Sequence, residues 1–276
     1  MHQLQSYCYS FLGCTKPVDI HFAIEASDNV GEDGMEMIRN FLKAVGYKFI
    51  ISEGGSHMSA SVFADDAELV FNMSRATVQE MFLEEVDKIP YLGGRGTNMD
   101  AALRLVADEV FTLDGFTRQK APKVLVMLTS GNCNRCREPL SEAVKPLKEA
   151  GVSIVTIPIG KNTNRQELEA MSSLPTSQYV IPQDSFTELL NGVFIQKVNT
   201  IICSGKPGVC EQVERPESCP ETIQFDCEVD VDCPGSEKCC LQGCDKSCVA
   251  PVAGKFTCVI FPFSRNFFSR FLKQIP

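Results

Sequence analysis

The 276-residue sequence contains no tryptophan and only three histidines, and two of these, His21 and His57, fall in runs that predict β-strands. It also has no nucleophile elbow, no HExxH helix and no phosphate-binding loop. The glycine-rich segment around Gly94 departs from the dinucleotide-binding pattern, because Met99 stands where the third glycine is required. The sequence offers no catalytic residues, and we expect a protein that is not an enzyme.

Long hydrophobic runs and basic clusters are also missing. No apolar stretch approaches the roughly 20 residues that span a bilayer. The formal net charge is −9, and no run of five or six lysines and arginines occurs. We therefore expect neither nucleic acid nor a membrane as partner. Residues 1–13 lack the basic start and continuous apolar core of a secretory signal.

Cysteine, in contrast, is abundant, with 14 residues, nine of them between Cys203 and Cys248. This density is typical of a disulfide-bonded module in an oxidising compartment. Zinc is the alternative, but no histidine follows His57 and the adjacent Cys239-Cys240 pair does not have C-x-x-C spacing. We expect a secreted, extracellular protein, and because no signal is visible we interpret Met1 as an internal start of an incomplete gene model.

Strand-like and helix-like patterns alternate along the first 200 residues. A buried strand from Val18 to Ile24 ends in a polar cluster, Glu25 to Asn29, before a helix that closes at Gly46. Further strands are predicted at 57–64, 68–73, 124–128, 152–159 and 179–181, and further helices at 78–89, after the glycine-rich loop, at 139–150 with a disturbance at Pro146, at 166–172 and at 186–202. The alternation predicts an α/β fold, a doubly wound, mostly parallel sheet with helices on both faces. Ligands of such sheets bind at the carboxyl ends of the strands.

Three segments, 19–29, 93–103 and 123–131, carry a family resemblance. Together they resemble the three loops of a von Willebrand factor type A domain, over about 17–203. Members of that family often hold a divalent cation, usually Mg²⁺, with an Asp-x-Ser-x-Ser loop, a Thr and an Asp. The matching positions of this metal-ion-dependent adhesion site are here Glu25, Ser27, Asn29, Thr97 and Ser130.

The match at these five positions is degenerate. One carboxylate is lengthened by a methylene at Glu25, and the other is replaced by the uncharged Ser130. Because Mg²⁺ requires anionic oxygen ligands, we expect no bound metal and no cofactor, with Mg²⁺ as the alternative. Hydrogen bonds of Ser27, Thr97 and Ser130 would then hold this end of the sheet. Asp28 and Asp100 are the nearby carboxylates able to compensate for the lost charge.

Two cysteine pairs and a sequon belong to the same region. The resemblance implies a disulfide between Cys14 and Cys203, which bracket the domain. The pair Cys133 and Cys136 has the spacing of a redox site, but it lacks the aromatic and proline context of thioredoxins, which favours a local structural disulfide. Asn72 begins an Asn-Met-Ser acceptor for N-glycosylation.

The cysteine-rich segment resembles a whey acidic protein (WAP) four-disulfide core. The matching pieces are eight cysteines together with Lys206-Pro-Gly, Asp230 to Gly235 and Lys238-Cys-Cys. Eight cysteines allow 105 pairings. The resemblance implies the bridges Cys210–Cys240, Cys219–Cys244, Cys227–Cys239 and Cys233–Cys248.

Some members of that family inhibit serine proteases through the residue after the second cysteine. Here that residue is Pro220, followed by Glu221. Proline restricts the backbone and suits neither a trypsin-like nor an elastase-like pocket. The loop chemistry therefore favours a spacer or interaction module, and protease inhibition stays open as the alternative.

Four regions follow from these patterns: an N-terminal extension (1–16), the type A domain (17–203), the WAP module (204–251) and an irregular tail (252–276). The aromatic, basic tail has two interpretations, a membrane-surface helix or translated intron sequence, and its composition favours the second. We predict a secreted, non-catalytic protein that binds an extracellular protein, either a matrix component or, as a serine protease inhibitor, a protease.

Overall fold

In the computed structural model, the described residues are Cys14, 17–112, 117–118, 121–173, 176–204, 210, 211, 213, 216, 218, 226, 227, 233, 234 and 237–250. The inhibitory-loop candidates Pro220 and Glu221 lie outside them, as does Cys219. The rest of the predicted N-terminal extension and the tail after Pro251 also lie outside the described residues.

A five-stranded sheet forms the centre of the type A region. Its strands are β1 (Asp19–Glu25), β2 (His57–Phe63), β3 (Ala67–Phe71), β4 (Lys123–Thr129) and β5 (Ser153–Pro158). They lie in the order β3-β2-β1-β4-β5, and only β3 is antiparallel to its neighbour. The parallel strands are almost entirely buried, as near-continuous apolar runs covered on both faces should be.

Helices cover both faces of this sheet. They are α1 (Gly31–Gly46), α2 (Gln79–Asp87), α3 (Met99–Leu105), α4 (Leu140–Ala143), α5 (Lys145–Glu149), α6 (Arg165–Met171), α7 (Thr176–Tyr179) and α8 (Gly192–Ser204). One core packs α1, α2 and α8 against side chains such as Phe22, and the other packs α3 to α6 against side chains such as Met127. The doubly wound α/β fold is confirmed.

The structure differs from the sequence prediction at three elements. The predicted strand at 179–181 is wrong, since Tyr179 ends α7 and Val180 makes only a single bridge to Thr156. The predicted 139–150 helix is two short helices, α4 and α5. The closing helix is interrupted at Asn191, between a 3₁₀ turn (Phe186–Leu190) and α8.

Within the cysteine-rich region, an antiparallel hairpin joins β6 (Lys238–Gln242) to β7 (Asp245–Val249) through Gly243, whose φ is +69°. Disulfides bind this hairpin to the preceding segment, as so small a module with little apolar core requires. The described pairs are Cys210–Cys240, Cys227–Cys239 and Cys233–Cys248. Cys244 is also disulfide-bonded.

Candidate functional site

The carboxylate of Glu25 lies at the carboxyl end of β1 and is completely buried. Its Oε1 atom accepts hydrogen bonds from Ser27 Oγ at 2.6 Å, Asn29 Nδ2 at 3.1 Å and Thr97 Oγ1 at 3.2 Å. Three side chains at positions of the family's metal-site pattern therefore donate hydrogen bonds to Glu25, which occupies another of these positions. The first and second loops are joined through this one oxygen.

The second oxygen of Glu25 joins the third loop. Oε2 accepts hydrogen bonds from Thr129 Oγ1 at 2.8 Å and from the backbone amides of Ser130 at 2.7 Å and Gly131 at 3.2 Å. Ser130 thus contributes its amide, whereas its buried hydroxyl has no hydrogen-bond partner among the described residues. We call Glu25 and its six donors, Ser27, Asn29, Thr97, Thr129, Ser130 and Gly131, the Glu25 cluster.

Gly131 permits the close approach of the third loop. A Cβ atom at this position would lie 2.8 Å from Asn29 Nδ2, 3.1 Å from Thr97 Oγ1 and 3.4 Å from Glu25 Oε1. The first distance is shorter than real Cβ contacts, so only glycine lets the backbone press against the cluster. The third loop thereby closes the space between the other two.

A disulfide-closed loop, which we call the 133–136 loop, holds the second loop from the other side. Cys133 and Cys136 form a disulfide. Between them, Asn134 accepts from the Thr97 amide at 2.9 Å through Oδ1 and donates to the Arg95 carbonyl at 2.8 Å through Nδ2. The position of Thr97 therefore depends on both the 133–136 loop and Glu25.

This arrangement does not match the ligand set of a hard dication. Mg²⁺ requires near-octahedral oxygen ligands and negative charge. Asn29 instead turns a donor, its Nδ2, toward the Glu25 carboxylate, and Ser130 supplies no charge. The Glu25 oxygens are already used by six donors, and the approach of Gly131 leaves little room between the loops.

The two nearby carboxylates are engaged elsewhere. Asp28 is exposed and accepts from the Tyr91 hydroxyl at 2.9 Å, a hydrogen bond that raises the pKa of Tyr91. Asp100 is buried and accepts from the amides of Ala101, Arg137 and Glu138. Sequence reasoning identified both residues but not these roles, because the partner of Asp28 is a distant side chain and the partners of Asp100 are backbone amides.

Clusters of cysteine sulfur also fail as metal sites. Two such groups occur among the described residues, Cys227 with Cys233 and Cys248, and Asp100 with Cys133 and Cys136. All five cysteines are in disulfides, so they supply no thiolate ligand.

His21, the buried histidine of β1, is a packing residue rather than a base. Its Nδ1 lies 2.8 Å from Ser59 Oγ and its Nε2 2.8 Å from Ser61 Oγ, on the neighbouring strand β2. Burial lowers its pKa to about 3. The imidazole is therefore neutral at physiological pH and inaccessible to a substrate.

The remaining predicted site residues are distributed over the domain. Cys14 and Cys203 form a disulfide with a Cα–Cα distance of 5.5 Å. Asn72 follows the edge strand β3, is partly exposed, and accepts from Ser74 Oγ at 2.8 Å. Its glycosylation stays a prediction. No helix in the described part of the chain is long and apolar enough to cross a bilayer.

Two family models match the chain. The model of the von Willebrand factor type A domain matches residues 19–196, and that of the WAP-type (whey acidic protein) four-disulfide core matches residues 206–251.

Several curated proteins are similar to the chain. Von Willebrand factor of Rattus norvegicus is 30% identical over 155 residues, 56% of this chain and 34% of that protein. Von Willebrand factor A domain-containing protein 2 of Homo sapiens is 25% identical over 74% of this chain and 26% of its own length. The collagen alpha-1(XII) chain of Notophthalmus viridescens is 24% identical over 72% of this chain and 21% of its own length. The chain thus spans between about a fifth and a third of these relatives.

Solved structures share the fold. Proximal thread matrix protein 1 of the mussel byssus, described with a zinc-occupied MIDAS motif, has a TM-score of 0.63 and 23% identity, over 70% of this chain and 47% of that one. A von Willebrand factor type A protein from Catenulispora acidiphila has a TM-score of 0.55 and 15% identity, over 70% of this chain and 44% of its own.

Proposed function

Because this chain belongs to the von Willebrand factor type A family and carries a WAP-type four-disulfide core after that domain, we propose that it is a secreted, non-catalytic binding protein. Its partner is another extracellular protein, a matrix component. The 17–203 domain binds this partner through the loops at the carboxyl edge of its sheet, without a metal ion. The 204–251 module acts as a spacer or a second interaction module.

The Glu25 cluster carries this proposal. Ligands of open α/β sheets bind outside the carboxyl ends of the strands, where these three loops lie. In this chain a buried carboxylate with six donors already connects all three loops. The binding edge is therefore ordered by the protein itself, and a cation is not needed to assemble it.

The relatives support an extracellular partner. They include von Willebrand factor and collagen chains, which are extracellular proteins. Disulfides bracket the type A domain and recur throughout the described cysteines of the second module, and such bonds persist in oxidising compartments.

A binding assay in the presence and absence of chelator tests the proposal. Labelled full-length protein is applied to decellularised fibroblast matrix in Mg²⁺ or in EDTA. We expect saturable binding that is equal in both buffers and weakened by Glu25→Gln, with Glu68→Gln on the exposed edge strand as the control. Absence of saturable binding, or its loss in EDTA, would contradict the proposed function.

A further inference from the structure

Three exposed arginines lie beside the binding edge of a chain whose formal net charge is −9. Arg95 lies in the second loop, and Arg135 and Arg137 lie in and just after the 133–136 loop. Among the described residues, the guanidinium groups of Arg95 and Arg137 have no ion pair or hydrogen bond. Arg135 makes an exposed contact with Asp65 at 3.4 Å, its one ion pair in the described part of the chain. We call these three residues the arginine rim.

The fold brings Arg95 and Arg135 together on two connected loops. Asn134, next to Arg135, donates to the Arg95 carbonyl. Asp65, the partner of Arg135, also packs against the glycines on either side of Arg95: its carboxylate lies 2.9 Å from a Cβ built on Gly94 and 2.2 Å from one built on Gly96. Arg95 and Arg135 are therefore both close to Asp65.

The backbone beneath the rim is fixed. The Arg137 amide donates to the buried Asp100 at 2.8 Å, and the Met99 amide donates to Cys133 Sγ at 3.3 Å. The 133–136 loop is also closed by its disulfide. Because the backbone is held in this way, a partner that binds these side chains need not order the loops.

We propose that the arginine rim binds an acidic side chain of the partner protein, an inference that rests on the proposed function. Guanidinium groups recognise carboxylates by paired, charge-assisted hydrogen bonds. Arg95 and Arg137 are free to make such bonds, and Arg135 can exchange its weak contact with Asp65 for a partner carboxylate. Positive side chains, rather than a metal ion, supply the attraction.

A polyanion such as a sulfated glycan fits the same surface less well. Affinity for polyanions grows with the number of phosphates or sulfates that basic residues neutralise. Among the described residues the rim holds three arginines, and the exposed carboxylates of Asp28 and Asp65 lie against the glycines of the loop that carries Arg95. A single Asp or Glu side chain avoids these carboxylates, whereas an extended polyanion contacts them.

The test uses full-length protein in EDTA and two fluorescent probes: a ten-residue peptide of alternating Glu and Gly, and a heparin-derived oligosaccharide. We expect salt-sensitive binding of the peptide, weakened about tenfold or more by Arg95→Gln combined with Arg135→Gln, the two rim residues close to Asp65. Arg75→Gln is the matched control, because Arg75 and Arg135 are equally exposed at 61% but Arg75 lies at the opposite edge of the sheet. Thermal melts establish that the variants remain folded.

Absence of peptide binding, or binding that the rim variant does not change, overturns the inference. Stronger, rim-dependent binding of the oligosaccharide also overturns it, in favour of a polyanion. The matrix assay separates the two proposals. Matrix binding that persists in the rim variant contradicts the inference about the arginine rim but agrees with the proposed function. Absence of matrix binding by the wild-type protein contradicts the proposed function itself.

Discussion

At the scale of single residues, one additional methylene group explains much of this site. An aspartate at position 25 would end closer to its own strand, whereas the longer glutamate reaches between the loops. A buried carboxylate is tolerated only when donors replace its water shell. Glu25 has six such donors, two of them backbone amides of the third loop. The residue that weakens the metal pattern therefore stabilises the loops.

Replacing the carboxylate by an amide should be costly. In Glu25→Gln the new NH₂ group faces hydroxyl and amide donors, so several lose their acceptor. Unsatisfied buried groups cost about 1–3 kcal/mol each, and we expect a loss of about 3 kcal/mol in the free energy of unfolding. Urea titration measures it, and the exposed Glu68→Gln should change stability by less than about 0.5 kcal/mol. Equal stability of both variants would show that the hydrogen bonds of Glu25 are dispensable.

His21 predicts a second measurable effect, on pH dependence. Its pKa is lowered to about 3 in the folded protein, whereas the unfolded histidine titrates near its ordinary value of about 6.5. Below pH 6.5 the unfolded state takes up a proton at His21 that the folded state does not bind. The free energy of unfolding should therefore be highest above pH 6.5 and should fall by about 1.4 kcal/mol per pH unit down to about pH 3.

The change in stability between pH 6.5 and 5 reports on His21 rather than on carboxylates, because most carboxylates titrate at lower pH. Urea melts across the interval should show the slope in the wild type and in His57→Gln, and its loss in His21→Gln. A slope that survives in His21→Gln would assign it to another group.

Residue chemistry was only partly predictable from sequence. The pattern identified Glu25, Ser27, Asn29 and Thr97 because they occupy known positions of a family motif. It did not identify Thr129, whose hydroxyl donates to Glu25 Oε2, and it expected a hydrogen bond of Ser130 without specifying that the backbone amide makes it. Rotamers and backbone amides decide these contacts, and a sequence pattern specifies neither.

At the scale of elements, the 133–136 loop shows how a disulfide that closes four residues can fix the position of residues distant in the sequence. Its Asn134 fixes the backbone at Arg95 and Thr97, and Thr97 in turn donates to Glu25. Without the cross-link, we expect this loop to be less ordered, because Asn134 and Arg135 between the two cysteines are exposed.

Opening the disulfide should therefore loosen the second loop. In a variant that combines Cys133→Ser and Cys136→Ser, we expect faster hydrogen exchange at residues 93–98. The increase should be about tenfold or more at the Thr97 amide, which donates its hydrogen bond to Asn134. Mass spectrometry of peptic fragments measures it, with β5 as internal reference. Unchanged exchange at 93–98 would show that the loop is held without the disulfide.

Strong periodic elements were predictable, and short ones were not. The apolar runs of β1, β4 and β5 were correctly predicted as strands, because runs so short and so fully buried are not helices. The three-residue run at 179–181 has no such signal. Pro146 was expected to disturb one helix, and the helix does break at Val144, so that Pro146 lies in the first turn of α5, where its missing amide hydrogen is not needed.

The interruption before α8 did have a sequence signal. Asn191 precedes Gly192, and its Oδ1 accepts from the amides of Val193 and Phe194, so it caps the helix. The apolar periodicity of 186–202 concealed this cap. A capping residue inside a periodic segment should therefore count as a boundary.

At the scale of the whole molecule, the Cys14–Cys203 disulfide spans 189 residues. A cross-link of that length restricts the unfolded chain, and chain entropy gives about 5 kcal/mol as its contribution. We expect Cys14→Ala combined with Cys203→Ala to lower the unfolding free energy by several kcal/mol in urea titrations. A loss below about 1 kcal/mol would mean that the ends of the domain are already held by packing.

The central claim is that the Glu25 cluster orders the binding edge without a cation, and thermal melts of full-length protein test it most directly. Mg²⁺, Mn²⁺ or Zn²⁺ at millimolar concentration, compared with EDTA, should leave the melting temperature unchanged. A variant that combines Glu25→Asp, Asn29→Ser and Ser130→Asp should gain a response, because it restores the charges and oxygens that a dication requires. A cation present at a hundredfold excess over its Kd would add about 2.7 kcal/mol. A rise of several degrees in the wild-type protein, reversed by chelator, would contradict the account.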